Sequence, residues 1–159
     1  LRQAFGLKRV LWVDSGSLSG DDTDSHIDIL ARFCDPETIA YLKSEDAEDP
    51  DYEGLMNMEA QLKSFRTPDG KPYRLVPLPK PEQMFLDDYP LPASYANFLI
   101  INGAVLVPGT GSELDEVARA RLQEVFTDRE VIVIDCRPLL SGHGGLHCVT
   151  MQFPEGWLE

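Results

Sequence analysis

Residues 97–107 read NFLIINGAVLV, two apolar runs joined by Asn102-Gly103. An Asn-Gly pair between apolar runs predicts a β-hairpin, because its two-residue turn needs positive φ angles that these residues tolerate. Apolar residues then recur at helical spacing, and residues 131–134 form another short apolar run. This order predicts a strand–strand–helix–strand (ββαβ) unit over residues 97–134. Its helical face consists of Leu114, Val117, Leu122, Val125 and Phe126.

The preceding part of the chain has the same order. Residues 25–34 and 37–42 have the β-branched and aromatic content of strands, and Asp35-Pro36 between them predicts a hairpin turn. A helical face follows, and then residues 73–79, whose prolines predict an edge strand. This second helical face consists of Leu55, Met58, Leu62 and Phe65. We predict a second ββαβ unit over residues 25–79.

Two ββαβ units in one chain predict an α/β fold built by repetition, of the propeller or array type. Apolar runs outside the units are predicted to be the last strand of a preceding unit, at residues 9–13, and the first strand of a following one, at residues 146–153. We therefore interpret residues 1–159 as a single partial domain that ends in a terminal strand and forms a piece of a larger ring.

The net charge and the cysteine content limit which partners and which cellular location are expected for the chain. The 159 residues include 14 basic and 27 acidic side chains, and the net charge of -13 repels phosphate backbones and anionic lipids but attracts a cationic small molecule. We expect no nucleic-acid partner. We also expect no membrane partner, since no apolar stretch approaches the roughly 20 residues of a membrane helix. Three cysteines without CxxC spacing favour neither a zinc ribbon nor a disulfide framework and indicate the reducing cytoplasm.

The first candidate site is the acidic segment at residues 20–28, GDDTDSHID. If a strand begins near Asp24, period two places Asp24, His26 and Asp28 on one face. One carboxylate can orient the imidazole, while another can hold a planar guanidinium through paired hydrogen bonds. The alternative is an Asp-rich turn that caps a strand and leaves the histidine in solvent.

The second candidate site is the glycine-rich segment at residues 141–148, SGHGGLHC, which allows a backbone to approach a ligand closely. On a predicted strand, His147 and Cys148 point to opposite faces, so the base for a Cys148 nucleophile must come from elsewhere, and His26 is the candidate. The alternative for Cys148 is a small buried hydrophobic residue. Cys34 and Cys136 fit that alternative better.

Five ordered segments of the chain resemble agmatine deiminases and the related bacterial peptidylarginine deiminases. They are residues 20–28, 94–98, 102–108, 128–131 and 144–152. The resemblance implies the pentein fold, a ring of ββαβ units around a central site, of which this chain would hold about half. It also implies a C–N hydrolase of putrescine and polyamine metabolism that needs no metal or organic cofactor.

The resemblance implies roles for individual residues. Cys148 would attack the guanidinium carbon, ammonia would leave, and His26 would activate the water that hydrolyses the S-alkylthiouronium intermediate. Asp28 would hold the guanidinium, which makes it a catalytic as well as a substrate-binding residue. The implied substrate-binding residues are Asp24, Asp28, Asn97, Gly144 and Gly145.

Three functions remain open at this point. The leading one converts agmatine to N-carbamoylputrescine and ammonia, and another deiminates peptidyl or free arginine to citrulline. The third is a non-catalytic half-ring that acts as an interaction module through its open strand edges. The resemblance further implies an N-terminal half that supplies another guanidinium-binding Asp and a Glu that pairs with the histidine. Open edges predict that this half, or a second copy in a homodimer, is a partner.

Overall fold

The computed structural model describes residues 1–21, 25–153 and 156. Its strands are β1 Ala31–Asp35, β2 Thr38–Lys43, β3 Arg74–Pro79, β4 Met84–Leu86, β5 Tyr89–Leu91, β6 Leu99–Ile101, β7 Ala104–Gly109 and β8 Glu130–Asp135. Its helices are α1 Arg2–Phe5, α2 Tyr52–Ser64, α3 Leu114–Gln123 and α4 Arg137–Leu140, with short 3-10 helices at Ile27–Ile29 and Tyr95–Asn97. No helix in these described ranges has the length and apolar character needed to cross a bilayer.

The ββαβ order occurs twice, in two three-stranded sheets. In the first, β1 pairs antiparallel with β2, α2 crosses over, and β3 returns parallel to β2. In the second, β6 and β7 form the hairpin around Asn102-Gly103, and β8 returns after α3 parallel to β7. Both predicted hairpins and both predicted helices are confirmed, and the proline-containing β3 lies at a sheet edge as predicted. A separate β4–β5 hairpin connects the two units.

The larger core cluster joins the two units, because α3 packs against β3 of the first sheet and β7 and β8 of the second. Phe98 and Phe126 meet edge to face in this cluster, with ring centroids 6.1 Å apart. A second cluster packs one face of α2, including Leu55, Met58 and Leu62, against the first sheet. Full burial of each such side chain contributes about 1.5–3 kcal/mol.

Two predicted strands at the chain's ends are replaced by other structure. Residues 9–13 do not form a strand. Gln61 on α2 donates to the Trp12 carbonyl at 3.1 Å and accepts from the Asp14 amide at 2.9 Å, so a side chain satisfies groups that a neighbouring strand would otherwise bind. Residues 146–149 form a turn instead of the start of a terminal strand. The Thr150 amide and hydroxyl both donate to the His147 carbonyl and close this turn.

The strand predicted over residues 25–34 begins six residues later, at Ala31. Ser25 has φ 62°, in the left-handed region, which is incompatible with an extended strand. The 3-10 helix Ile27–Ile29 follows Ser25 and His26. The predicted period-two face that would carry His26 and Asp28 together is therefore wrong, and Asp24 lies outside the described residues.

Candidate active site

A cavity of about 500 Å³ brings together residues that are distant in the sequence. Its lining includes His26, Asp28, Gly144, Gly145 and Cys148, five of the residues predicted for the site. Asp28 and His26 lie before β1, whereas Gly144, Gly145 and Cys148 lie in the loop and turn after α4. Both candidate sites of the sequence therefore contribute to one cavity.

Asn97 links these two parts beneath the cavity. It ends the 3-10 helix Tyr95–Asn97, called the Asn97 helix, and is 1% exposed. Its Nδ2 donates to Asp28 Oδ2 at 3.1 Å and lies 3.4 Å from Cys148 Sγ. Its Oδ1 accepts from the His147 amide at 2.8 Å. Both ends of the Asn97 amide are thus used by the protein, which gives Asn97 a positioning function in addition to any substrate contact.

Position 145 requires a glycine because its backbone lies too close to Asn97 for a side chain to fit between them. A Cβ atom on Gly145 would lie 2.3 Å from Asn97 Oδ1 and 2.9 Å from Asn97 Cγ, well inside contact distance. A Cβ on Gly144 would meet only Cys148 Cβ, at 3.3 Å. The two glycines predicted to form the wall beside the nucleophile therefore have different functions, and Gly145 determines how closely the cysteine turn approaches Asn97.

The imidazole hydrogen-bonded to Asp28 is that of His147, which sequence reasoning missed. His147 Nδ1 lies 2.8 Å from Asp28 Oδ2. An ionised carboxylate can only accept, so Nδ1 carries the donated proton. His147 was predicted to lie on a strand, whereas the structure has a turn there. The adjacent Gly144-Gly145 pair was the available signal for that turn.

Asp28 is held in its charged form. Burial raises the pKa of Asp28, but the hydrogen bond and charge of His147, then hydrogen bonds with Cys148 and Asn97, outweigh it and leave the pKa below its usual value. Cys148 Sγ lies 3.6 Å from Asp28 Oδ2. The cavity thus presents a fixed negative charge beside a thiol. Such a pair suits a planar cation that the carboxylate binds while the sulfur attacks its central carbon.

The three cysteines differ in how accessible their thiols are. Cys148 is exposed in the cavity, whereas Cys136 is buried and Cys34 is partly buried. Burial raises the pKa of Cys34 to about 12 and also raises that of Cys136, so both stay protonated. Cys148 is the cysteine that a molecule in the cavity can reach, which makes it the candidate nucleophile. The predicted base His26 lines the same cavity and is exposed.

The described residues contain no cluster of three or more His, Cys, Asp or Glu arranged to hold a metal ion.

The fold places the chain in a class of α/β proteins that includes solved deiminases. A family model described as Porphyromonas-type peptidyl-arginine deiminase matches residues 1–154, and the chain belongs to this family. A solved "Putative Arginine Deiminase" from Porphyromonas gingivalis is 58% identical, with a TM-score of 0.97 over 99% of this chain and 46% of its own.

Further relatives carry the name agmatine deiminase. A C. jejuni agmatine deiminase solved with substrate bound is 39% identical, with a TM-score of 0.86, over 92% of this chain and 42% of its own. The agmatine deiminase of Pseudomonas putida is 31% identical over 97% of this chain and 46% of its own. The chain therefore spans about half the length of the relatives that it matches.

Proposed function

We propose that this chain carries the nucleophile-bearing part of a guanidinium deiminase, a hydrolase of C–N bonds in linear amidines. The observation that carries the proposal is that Cys148 Sγ lies 3.6 Å from the Asp28 carboxylate, which lines the same cavity, and 3.4–3.7 Å from the Asn97 amide beneath it. A family match to deiminases over residues 1–154 supports the same reaction class.

The reaction follows from the chemistry of these groups. Asp28 binds the guanidinium N–H groups, and the Cys148 thiolate adds to the guanidinium carbon. A proton from His26 passes to one amino group, the C–N bond breaks, and ammonia leaves an S-alkylthiouronium. His26, at the exposed side of the cavity, takes a proton from water as the water adds to the same carbon. The C–S bond then breaks, which releases a ureido product and the thiolate.

Cavity charge favours agmatine as the substrate. The described lining residues include Asp21, Asp28 and three histidines but neither Lys nor Arg. Agmatine carries a second positive charge at its far end, whereas free arginine carries a carboxylate that such a lining repels. The product would then be N-carbamoylputrescine. Peptidyl or free arginine, with citrulline as product, is the alternative that the family description favours.

A complementary half of the fold is the proposed partner. Relatives are about twice as long as the matched region, and a propeller needs further units to close. Trp12 is 66% exposed and Phe33 52% exposed beside a second cavity, which indicates a surface for that half to cover. A homodimer would cover it as well, and an isolated half-ring without activity is the non-enzymatic alternative. Sedimentation of the chain distinguishes these states.

Selective alkylation tests the proposal. A haloacetamidine carries the planar cation of the substrate, and iodoacetamide is its neutral counterpart. We expect the amidine to label Cys148 at least tenfold faster than Cys34 and Cys136, agmatine to protect Cys148, and Cys148→Ser to abolish the selective adduct. The same assay is repeated on a protein in which the chain is extended upstream by the proposed complementary half. Equal labelling of all cysteines in both proteins would refute the deiminase proposal. The cytoplasmic location stays a prediction that fractionation would test.

A further inference from the structure

Arg32, the second residue of β1, lies beside the candidate active site but belongs to no step of the proposed reaction. Asp28 and His147 line two cavities: the one shared with Cys148 and another of about 450 Å³ that Arg32 also lines. Arg32 is partly buried. Burial lowers the pKa of Arg32, and the nearby Asp28, Cys34 and Cys148 oppose that change. A guanidinium remains protonated, so a permanent positive charge adjoins Asp28.

The Arg32 guanidinium holds the residue that follows Asn97 in two ways. Its Cζ lies 4.8 Å from the centroid of the Phe98 ring, a cation–π contact. Its Nη1 donates to the Phe98 carbonyl oxygen. Phe98 is fully buried, so both its ring and its backbone are fixed at the point where the Asn97 helix enters β6.

Ser94 provides a matching contact at the other end of the Asn97 helix. Its hydroxyl donates to the Ile29 carbonyl at 2.6 Å and accepts from the Ala96 amide. Asn97 is therefore flanked by two links, through Ser94 and Phe98, to the segment that carries Asp28. The link through Ser94 needs only a hydroxyl group. The link through Phe98 needs a planar group that stacks on the ring and donates to the carbonyl oxygen at the same time, and the ammonium group of a lysine is not planar.

We propose that Arg32 is a positioning residue for the guanidinium site, which it serves by fixing Phe98 and thereby the Asn97 amide between Asp28 and Cys148. This role of Arg32 rests on the proposed deiminase function, but the contact between Arg32 and Phe98 can be probed without any activity. Loss of the planar group frees the Asn97 amide to rotate, and Asp28 and Cys148 lose a shared hydrogen-bonding partner.

The test combines two readouts on the 159-residue chain. The first is hydrogen exchange of the Asn97 side-chain amide, assigned by the loss of its NMR signal in Asn97→Asp. The second is the ratio of haloacetamidine to iodoacetamide labelling at Cys148. The variants are Arg32→Lys, which keeps the charge, and Arg32→Met, which keeps only the volume. Arg129→Met is the matched control, because Arg129 stacks at 5.8 Å on Phe126 in the same core cluster.

Both Arg32 variants are expected to accelerate Asn97 exchange about tenfold and to lower the labelling ratio by a similar factor, with Arg129→Met within twofold of the unmodified chain. If Arg32→Met does not fold, Arg32→Lys decides the question. Unchanged exchange in a folded Arg32 variant, or equal acceleration in Arg129→Met, would overturn the proposal. If the chain shows no preference for the amidine, either alone or extended by the complementary half, while exchange responds to Arg32, the deiminase proposal fails and the positioning role stands.

Discussion

Replacing Gly145 by alanine perturbs one contact of the candidate site. The added methyl group would lie 2.3 Å from Asn97 Oδ1, and real Cβ contacts rarely fall below 3.0 Å, so the two groups must separate by about 0.7 Å. If the turn moves by that amount, the 2.8 Å bond from the His147 amide to Asn97 Oδ1 lengthens to about 3.5 Å, the limit of a hydrogen bond. The φ of Gly145 is not in the left-handed region, so backbone strain adds nothing.

The expected cost has two parts. Weakening a buried hydrogen bond costs about 1–3 kcal/mol, of which the reduced chain entropy of alanine returns about 0.4–1 kcal/mol. Misplacement of a reacting group by about 1 Å can cost about 100-fold in rate. We therefore expect Gly145→Ala to lower the haloacetamidine labelling rate of Cys148 by about 10- to 100-fold while the free energy of unfolding falls by no more than about 2.6 kcal/mol.

The assay compares Gly145→Ala with Gly142→Ala, whose methyl group would lie 3.4 Å from the Leu139 carbonyl in ordinary contact. Labelling rates are followed by peptide mass spectrometry and stability by urea unfolding. In an Asn97→Ala background most of the clash is removed, so the effect of Gly145→Ala on labelling should become small. A labelling rate of Gly145→Ala within twofold of that of Gly142→Ala would contradict this prediction.

Two further predictions concern charge. Asp28→Asn should abolish the preference of Cys148 for an amidine over iodoacetamide, because the neutral amide no longer attracts a cation. The pKa of Asp28 in the folded state lies below the ordinary 3.8, so its charge stabilises the fold above that value and loses this effect as pH falls through the folded pKa. The unfolding free energies of the unmodified chain and of Asp28→Asn should therefore converge below about pH 4. A constant difference between them down to about pH 2 would contradict this. Lys80 is 8% exposed and pairs with Asp49 at 2.5 Å and with Asp51 at 2.7 Å. Because its loss leaves both carboxylates without their cation, Lys80→Met should lower the free energy of unfolding in urea by about 3 kcal/mol. Arg137→Met, from a pair more than half exposed, is the control and should cost less than about 0.5 kcal/mol.

Much of the fold could be predicted because its signals are local. The Asn102-Gly103 turn, the helical spacing of Leu55, Met58 and Leu62, and the prolines of β3 each act within a few residues. The prediction was wrong where a distant group satisfied the backbone instead. Gln61 replaced a neighbouring strand beside Trp12, and an apolar run alone does not reveal such a substitution.

Local patterns are sufficient to predict the two ββαβ units and the two short motifs that hold a cysteine, histidines and carboxylates, since turn chemistry and side-chain periodicity are properties of neighbouring residues. Which of these side chains meet depends on how the distant parts of the chain pack. His147 and Asp28, 119 positions apart, are brought together by a turn beside Gly145 and by the Asn97 amide, which binds both segments. Such contacts depend on how two separate units pack around a shared core, and no periodicity within either unit specifies that packing.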